Sequence, residues 1–545
     1  MRIFFVTLAL AGLAACSGGS SGSHGSPDGS TESGTDGGGG PSPGSDATSP
    51  PGSDATSPPG SDAAPPGGDA APPPGGDAAP PPPPAQTCTE PAPRVDVSKP
   101  TTVVGTGTAA SCTEAALDAA AAKGGVITFN CGTAPVTITV TAEVPITLGT
   151  TIDGGNLVTL SGGNSTRIMH IMSAWNVTTP LLTVQNLTFT EGFTTDVMNT
   201  SATDQGGAAI YEDGGALVVI HCTFTKNNCA QSGEDVAGGA IVGLGSSTLV
   251  VEDSTFDGNS GSNGGAIGTQ DENVTIVNST FSNNKANGTG GNPGNGGDGG
   301  AMSYDGAMIS WTMCGDTFTN NYAYQQGGAI FRVGYNDEAV NIDRCTFDGN
   351  SVNMTNGIAG GVYLEDVTIT MSATTISHNT ANYGAGFWAG ETSIANLTNV
   401  TIADNTANMG GGVWFANPMS GTFLNVTVAD NVCTGLFDGP NITLENCLIA
   451  GNTAGSMCDE GETQCDHTHT SLGVNMQTSG LPDCTSSVVV ADPELGTLQN
   501  NGGPTLTMAP AAGSPAIGQG TNCPAEDQRG QPRKSPCTLG AYEVE

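Results

Sequence analysis

From about Phe189 to Asn452 one unit recurs and leaves little choice of architecture: an apolar residue, then Asn three positions later. The pairs are Phe224/Asn227, Phe256/Asn259, Phe281/Asn284, Phe318/Asn321, Phe347/Asn350, Ile376/Asn379, Ile402/Asn405, Val428/Asn431 and Ile449/Asn452. Two residues past each Asn comes something small or modest, such as Cys229, Gly261, Ala286 or Ala407. Ahead of most pairs stands Gly-Gly with apolar residues behind it, as in Gly264-Gly265-Ala266-Ile267 and Gly327-Gly328-Ala329-Ile330. Successive Asn are on average about 28 residues apart, and a period of that size marks a solenoid or array.

What fills the period selects the kind of solenoid. Short strand-forming runs such as Thr248–Val251 and Val274–Val277 occupy it, and no stretch keeps a 3.6-residue rhythm. Two or three short strands per turn, bent at Gly and Asn, give an all-β parallel β-helix of about 13 turns. Turns stack about 4.8 Å apart, so equivalent residues lie over one another. The aromatic position becomes an internal stack and the Asn position an amide ladder, while Gly supplies positive φ at the corners.

The chain has 545 residues and a net charge of −39, with only 12 Lys and Arg. Such a surface repels phosphate backbones and anionic lipid, which excludes nucleic acid and lipid headgroups as electrostatic partners. Of 15 Cys, Cys16 is set apart by the leader; the remaining 14 read as disulfides in an exported chain.

Residues 1–16 form that leader: Arg2, an apolar run Ile3–Leu13, then Leu13-Ala14-Ala15-Cys16. The ending resembles the bacterial lipobox, which implies a lipid on Cys16 and attachment to a membrane, with Ser17 compatible with the outer membrane and cell surface of a Gram-negative bacterium. Residues 17–86, dominated by Gly, Ser, Pro and Asp with an octapeptide repeated from Pro43, have too few apolar side chains to fold and read as a tether. The β-helix is expected over 94–490. Ser111-Cys112-Thr113-Glu114 has capping-box spacing ahead of an Ala-rich run, which predicts a short N-terminal capping helix that Cys112 and Cys131 could staple. Loops between Asn and the next Gly pair vary most at 193–205 and 287–298, so the side from which they emerge is the expected recognition face.

The Gly-Gly-Ala-Ile and Phe-x-x-Asn elements resemble the repeats of polymorphic outer membrane proteins and, more broadly, the pectin-lyase-like right-handed β-helix. Those relatives usually end in an outer-membrane barrel. Residues 491–545 instead resemble a choice-of-anchor Q ending, through Asp492-Pro493, Asn501-Gly502-Gly503-Pro504-Thr505, Gly513-Ser514-Pro515-Ala516-Ile517 and Asp527-Gln528-Arg529-Gly530. That resemblance implies a surface protein and no chemistry. The Pro and Gly turns of this segment and its Cys523/Cys537 spacing suit a compact end cover.

The pectin-lyase-like fold also hosts polysaccharide lyases and hydrolases, so the enzyme reading has to be weighed from residues. Uronate lyases need a cationic base or clamp near calcium-binding carboxylates, and the repeat offers only Arg167, Lys226, Lys285, Arg332 and Arg344. Acidic pairs such as Glu212-Asp213, Asp271-Glu272, Asp337-Glu338 and Glu365-Asp366 read as surface charge, with weak calcium binding the one cofactor role open to them. No grouping of carboxylates with His is visible, and His170, His221 and His378 read as structural. Cys458, Cys465, Asp466, His467 and His469 are zinc-ligand types close together, but an oxidising compartment favours a disulfide loop with exposed His. The sequence therefore reads as a non-enzymatic surface lipoprotein, an adhesin or envelope interaction module taking a surface glycan or protein. A carbohydrate-active enzyme or glycan-binding protein is the alternative, and a structural spacer the third; the pattern is silent on self-association.

Overall fold

The computed structural model describes residues 88–545 except 196–205, 234–235, 246–247, 291–295, 307–309, 391, 417–418, 440, 456–457 and 459–462. Cys16 and the expected tether lie outside the described residues, as does most of the insertion at 193–205.

In each regular turn the Gly pair opens a first strand, a bend leads to a second, and a tight corner leads to a third. The ladder Asn then swings the chain into a fourth, very short strand. One turn reads Ile267–Gln270, Asn273–Val277, Thr280–Ser282 and Lys285–Ala286. Each strand pairs in parallel with its counterparts above and below; Thr280–Ser282 lies in register between Thr255–Asp257 and Thr317–Thr319. About 12 turns build this parallel β-helix, within one of the number expected.

Inward positions hold the core. Phe189, Phe224, Phe256, Phe281, Phe318 and Phe347 stack face to face at 4.6 to 4.9 Å. Each such pair adds about 0.5–1.5 kcal/mol beyond burial. Asn227, Asn259, Asn284, Asn321, Asn350, Asn379, Asn405, Asn431 and Asn452 run in a single buried file. In each, Oδ1 accepts from the backbone N–H and Nδ2 of the Asn one turn earlier: Asn284 N and Nδ2 both reach Asn321 Oδ1 at 3.0 Å. Nδ2 also donates to the carbonyl of the apolar residue one turn back, as Asn321 does to Phe281. The file starts where Gly192 N donates to Asn227 Oδ1 and stops where Asn452 Nδ2 reaches Gln464 Oε1. The Gly pair is equally constrained. Gly264 has φ +51° and a Cβ there would sit 2.2 Å from the Ile267 oxygen, while one on Gly265 would sit 2.2 Å from the Gly300 oxygen.

Not all cysteines pair. Five disulfides join Cys88–Cys314, Cys112–Cys131, Cys433–Cys458, Cys465–Cys484 and Cys523–Cys537, whereas Cys222, Cys229, Cys345 and Cys447 are buried free thiols. The reading of all 14 as disulfides is thereby corrected. Three of the free thiols occupy one internal column, and the neighbours there are not cysteines: Cys222 N donates to Ser254 Oγ, Cys345 N to Thr374 Oγ1 and Cys447 N to Asn475 Oδ1. Burial pushes the Cys222 and Cys447 thiols up to about 12.

The ends differ from expectation in three ways. The helix α1 (Glu114–Ala121) is capped by Thr113, whose side chain accepts from Ala116 N, and not by Ser111. Glu114 consequently sits at the first helical position and turns outward to bond Thr141 N and Ala142 N. Leu117, Ala120 and Ala121 bury its other face at the start of the solenoid. Second, residues ahead of 94 are tied to the rod. Cys88 is fixed to Cys314 halfway along the rod, and the following segment runs back to the first strand, with Ala92 N on Glu252 and Val95 N on Gln185. Third, residues 491–545 do not cover the end. They fold back over the outward side of the third strands: Thr375 Oγ1 donates to Leu506 O and Thr401 Oγ1 to Gln528 Oε1, while Thr427 Oγ1 accepts from Ala541 N. Met508 packs on Ala403 and Ala429, and Ala516 and Leu539 on Leu448 and Met476. The final strand, Val489–Val490, pairs with Met476–Gln477 and is exposed.

Candidate functional site

The second residue of each first strand faces away from the lumen, and parallel register lines these residues into one file. It runs from His170 and Tyr211 through Val242, Gly268 and Ser303 to Phe331, Tyr363, Trp388, Trp414 and Phe437. Gly206 and Asp298, the described residues that follow or close the two insertions, lead into the first strands of this face. Its middle is roofed, since a Cβ on Gly268 would sit 2.3 Å from that of Ala237. Two ends remain.

At the first end Glu143 binds two partners, Arg167 Nη1 at 3.0 Å and His170 Nδ1 at 3.1 Å. Arg167 also donates to the carbonyls of Gly206 and Gly207, and its guanidinium lies 4.7 Å from the Tyr211 ring centre. The hydrogen bond from His170, reinforced by the Arg167 charge, pulls the Glu143 carboxyl down to about 2. His170 does not stand singly: it and Arg167 flank Ile168 and Met169, one turn on from Glu143, and both meet its carboxylate. His221 instead meets Asn186 on the surface, and His378 meets Asp348.

At the other end the file becomes an aromatic belt. Phe331, Tyr363 and Trp388 stack at 4.9 and 4.1 Å, then Trp414 meets Tyr383 and Phe437 edge to face at 5.3 and 5.1 Å. The neighbouring carboxylates come from successive turns, because Leu436 bridges to Cys465. Asp438 N donates to both oxygens of Asp466 at 2.9 Å, and His467 Nδ1 lies 2.8 Å from Asp466. One ligand atom from each of Asp438, Asp466 and His467 falls within 4.8 Å of the others. Burial, then the Asp466 charge, raises the Asp438 carboxyl, while Trp414 hydrogen-bonds to it. The sequence showed no such grouping; a one-turn offset of Phe437-Asp438 against Asp466-His467 was its only signal.

The zinc-type cluster is taken apart. Cys458 and Cys465 are bonded to Cys433 and Cys484, and His469 is buried with Nδ1 3.2 Å from Gly439 O. Burial lowers the His469 imidazole to about 4, so of the two His only His467 is exposed.

The cations are equally informative. Arg332 points into the lumen, fully buried, 4.2 Å from the Tyr304 ring centre, and Arg344 Nε bonds Asp343. Lys226 and Lys285 are exposed on either side of the ladder Asn positions. Three acids read as surface charge are corrected: Glu212 and Glu272 are fully buried, and Glu338 is buried too. Glu212 shares the inward register of Ile171 and Gly243. The Glu272 carboxylate occupies the space the missing Gly243 side chain leaves, 1.9 Å from where a Cβ would stand.

Residues 328–481 match the family described as the right-handed beta helix region. With the parallel register above, the chain is an all-β right-handed parallel β-helix. Among solved structures it is similar to one titled a new PL6 alginate lyase complex with trisaccharide, at 13% identity and a TM-score of 0.39, over 72% of this chain and 88% of that one. No curated protein matches the sequence.

Proposed function

We propose that the chain is a non-enzymatic surface interaction module, a rod held to the outer membrane through lipid on Cys16 and residues 17–86, which offers its first face to a surface glycan. One observation carries this reading. The hydrogen bonds of both terminal segments run to the second and third faces and the corner between them, through Gln185, Glu252, Thr375, Asn399, Asn425 and Thr427. The two ends of the first face are clear of those bonds, and at one of them aromatic rings lie beside carboxylates, the combination that holds sugar rings by their C–H faces and hydroxyls. The test is binding of the purified full chain to arrayed envelope polysaccharides. Wild type is expected to bind and Trp414→Ala to lose most of that binding at an unchanged melting temperature. Turnover of any of these polymers would overturn the non-enzymatic part.

A second reading has its own support. Asp438 and Asp466 bring carboxylate oxygens within 4.8 Å of one another, nearer to the roughly 5–5.5 Å of a retaining glycosidase than to the wider inverting gap, and the raised Asp438 would be the acid. A hydrolytic activity abolished by both Asp438→Asn and Asp466→Asn would establish it.

A further inference from the structure

We propose that the open part of the third face binds ice, a role separate from the glycan reading of the first face. The first outward residue of the third strand is Thr in every turn from Thr159 to Thr427, all in register. Strand preference alone does not demand this. The matching outward file on the second strands mixes Thr183, Val218, Val250, Thr275, Thr312 and Asn341. In the later turns the C-terminal segment occupies the hydroxyls: Thr375 and Thr401 donate to it and Thr427 accepts from it. From Thr159 to Thr346 the same hydroxyls have no partner among the described residues, and these side chains are partly exposed.

Geometry makes the open stretch a lattice. Stacked strands set a repeat of about 4.8 Å, so the six steps from Thr159 to Thr346 span about 29 Å. A β-branched side chain is stiff at χ1, which fixes where each hydroxyl and methyl points. Directly beneath runs the phenyl stack from Phe189 to Phe347, whose successive ring planes tilt by only 2° to 11°, so this stretch has little twist. The stack ends at the turn before Thr375, where the C-terminal cover begins. A second outward column, including Thr190, Thr225, Ser282 and Thr319, lies two residues on, about 6.6 Å away. Asp257 and Asp348 interrupt it, each accepting from a neighbouring Ser.

Shape and charge set the partner. A small ligand is held in a concave site, and the core of a protein interface is rich in aromatic, Met and Arg side chains. This face is instead a regular array of hydroxyls and methyls. Its first column is uncharged on a chain of net charge −39, which gives an ionic partner nothing to pair with there. A crystalline polysaccharide is gripped by exposed rings, and this protein carries those on its first face. Ice is periodic, neutral and made of donors and acceptors, with oxygen rows that repeat close to the strand spacing. Each Thr hydroxyl can donate to one water and accept from another. Because the spacing is set before contact, little ordering remains to be done on binding.

Slow freezing of the purified full chain, with assay of the ice and liquid fractions, tests this. Wild type is expected to be carried into the ice and to slow recrystallisation of a frozen slurry. Thr255→Lys, in the middle of the file, should cut the amount carried in by roughly tenfold, while Asn341→Lys on the second face leaves it unchanged. If Thr255→Lys lowers the melting temperature, Thr225→Lys in the second column decides instead. Wild type left in the liquid, or uptake into ice that ignores both Thr variants, would overturn the proposal. So would wild type that binds microcrystalline cellulose or chitin, loses that binding in Thr255→Lys and stays out of ice, since the face would then take a sugar crystal.

Discussion

A ladder Asn uses nearly all of its hydrogen-bonding capacity inside the protein, which makes it expensive to truncate. In Asn321→Ala, Asn284 loses the acceptor for its backbone N–H and its Nδ2, and the Phe281 carbonyl loses a donor. Urea unfolding should show a loss of roughly 3–5 kcal/mol, several times that of an exposed substitution. Glu143 tests a different residue-level effect. Its carboxyl is held at about 2 against 4.5 unfolded, so it stabilises the fold above that unfolded value and loses the contribution as pH falls toward 2. The carboxylate is partly exposed, which reduces the effect to roughly 1–2 kcal/mol. Glu143→Gln should be less stable than wild type near neutrality, and thermal melts should converge as the pH drops from about 5 to 2. The ladder was legible in sequence because the same residue returns at the same phase. Glu143, Arg167 and His170 were not, because they precede the first Asn and no repeat marks their phase.

At the level of single strands, the third strand explains why the C-terminal segment was misplaced. Its outward third position reads Thr319, Asp348, Ser377, Ala403, Ala429 along the rod, all in one register. The change from polar residues to Ala falls where Met508 of the C-terminal segment packs on Ala403 and Ala429. The information was in the sequence, but as a drift in an otherwise regular column and not as a motif. Glu placed at two sites of this column should behave oppositely. Ala429→Glu buries a charge under the C-terminal segment and should cost about 2–4 kcal/mol, with faster proteolysis of 491–545. Thr319→Glu faces water and should stay within about 0.5 kcal/mol. The belt's carboxylates were hidden for a related reason. Asp438 and Asp466 are 28 residues apart, one full turn. Thr463-Gln464 stands there in register with Thr434-Gly435, where earlier turns have the Gly pair, so that landmark was missing when the two turns had to be aligned.

For the whole molecule, the period alone gave the β-helix and its internal columns, whereas the routes of both terminal segments came only from long-range partners. Cys88 lies 226 residues from Cys314, beyond the reach of any spacing argument. Cys88→Ser should release the segment behind it. Hydrogen exchange at Ala92 and Val95, whose amides rest on Glu252 and Gln185, should then speed up roughly tenfold or more while the melting temperature of the rod holds.

That same crosslink decides how the body would respond to being pulled. Tension arriving through the leading residues enters at the central coil, through a covalent bond, and never loads α1 or the opening coils. A tug that could otherwise peel the solenoid open rung by rung from its front is instead delivered to its middle.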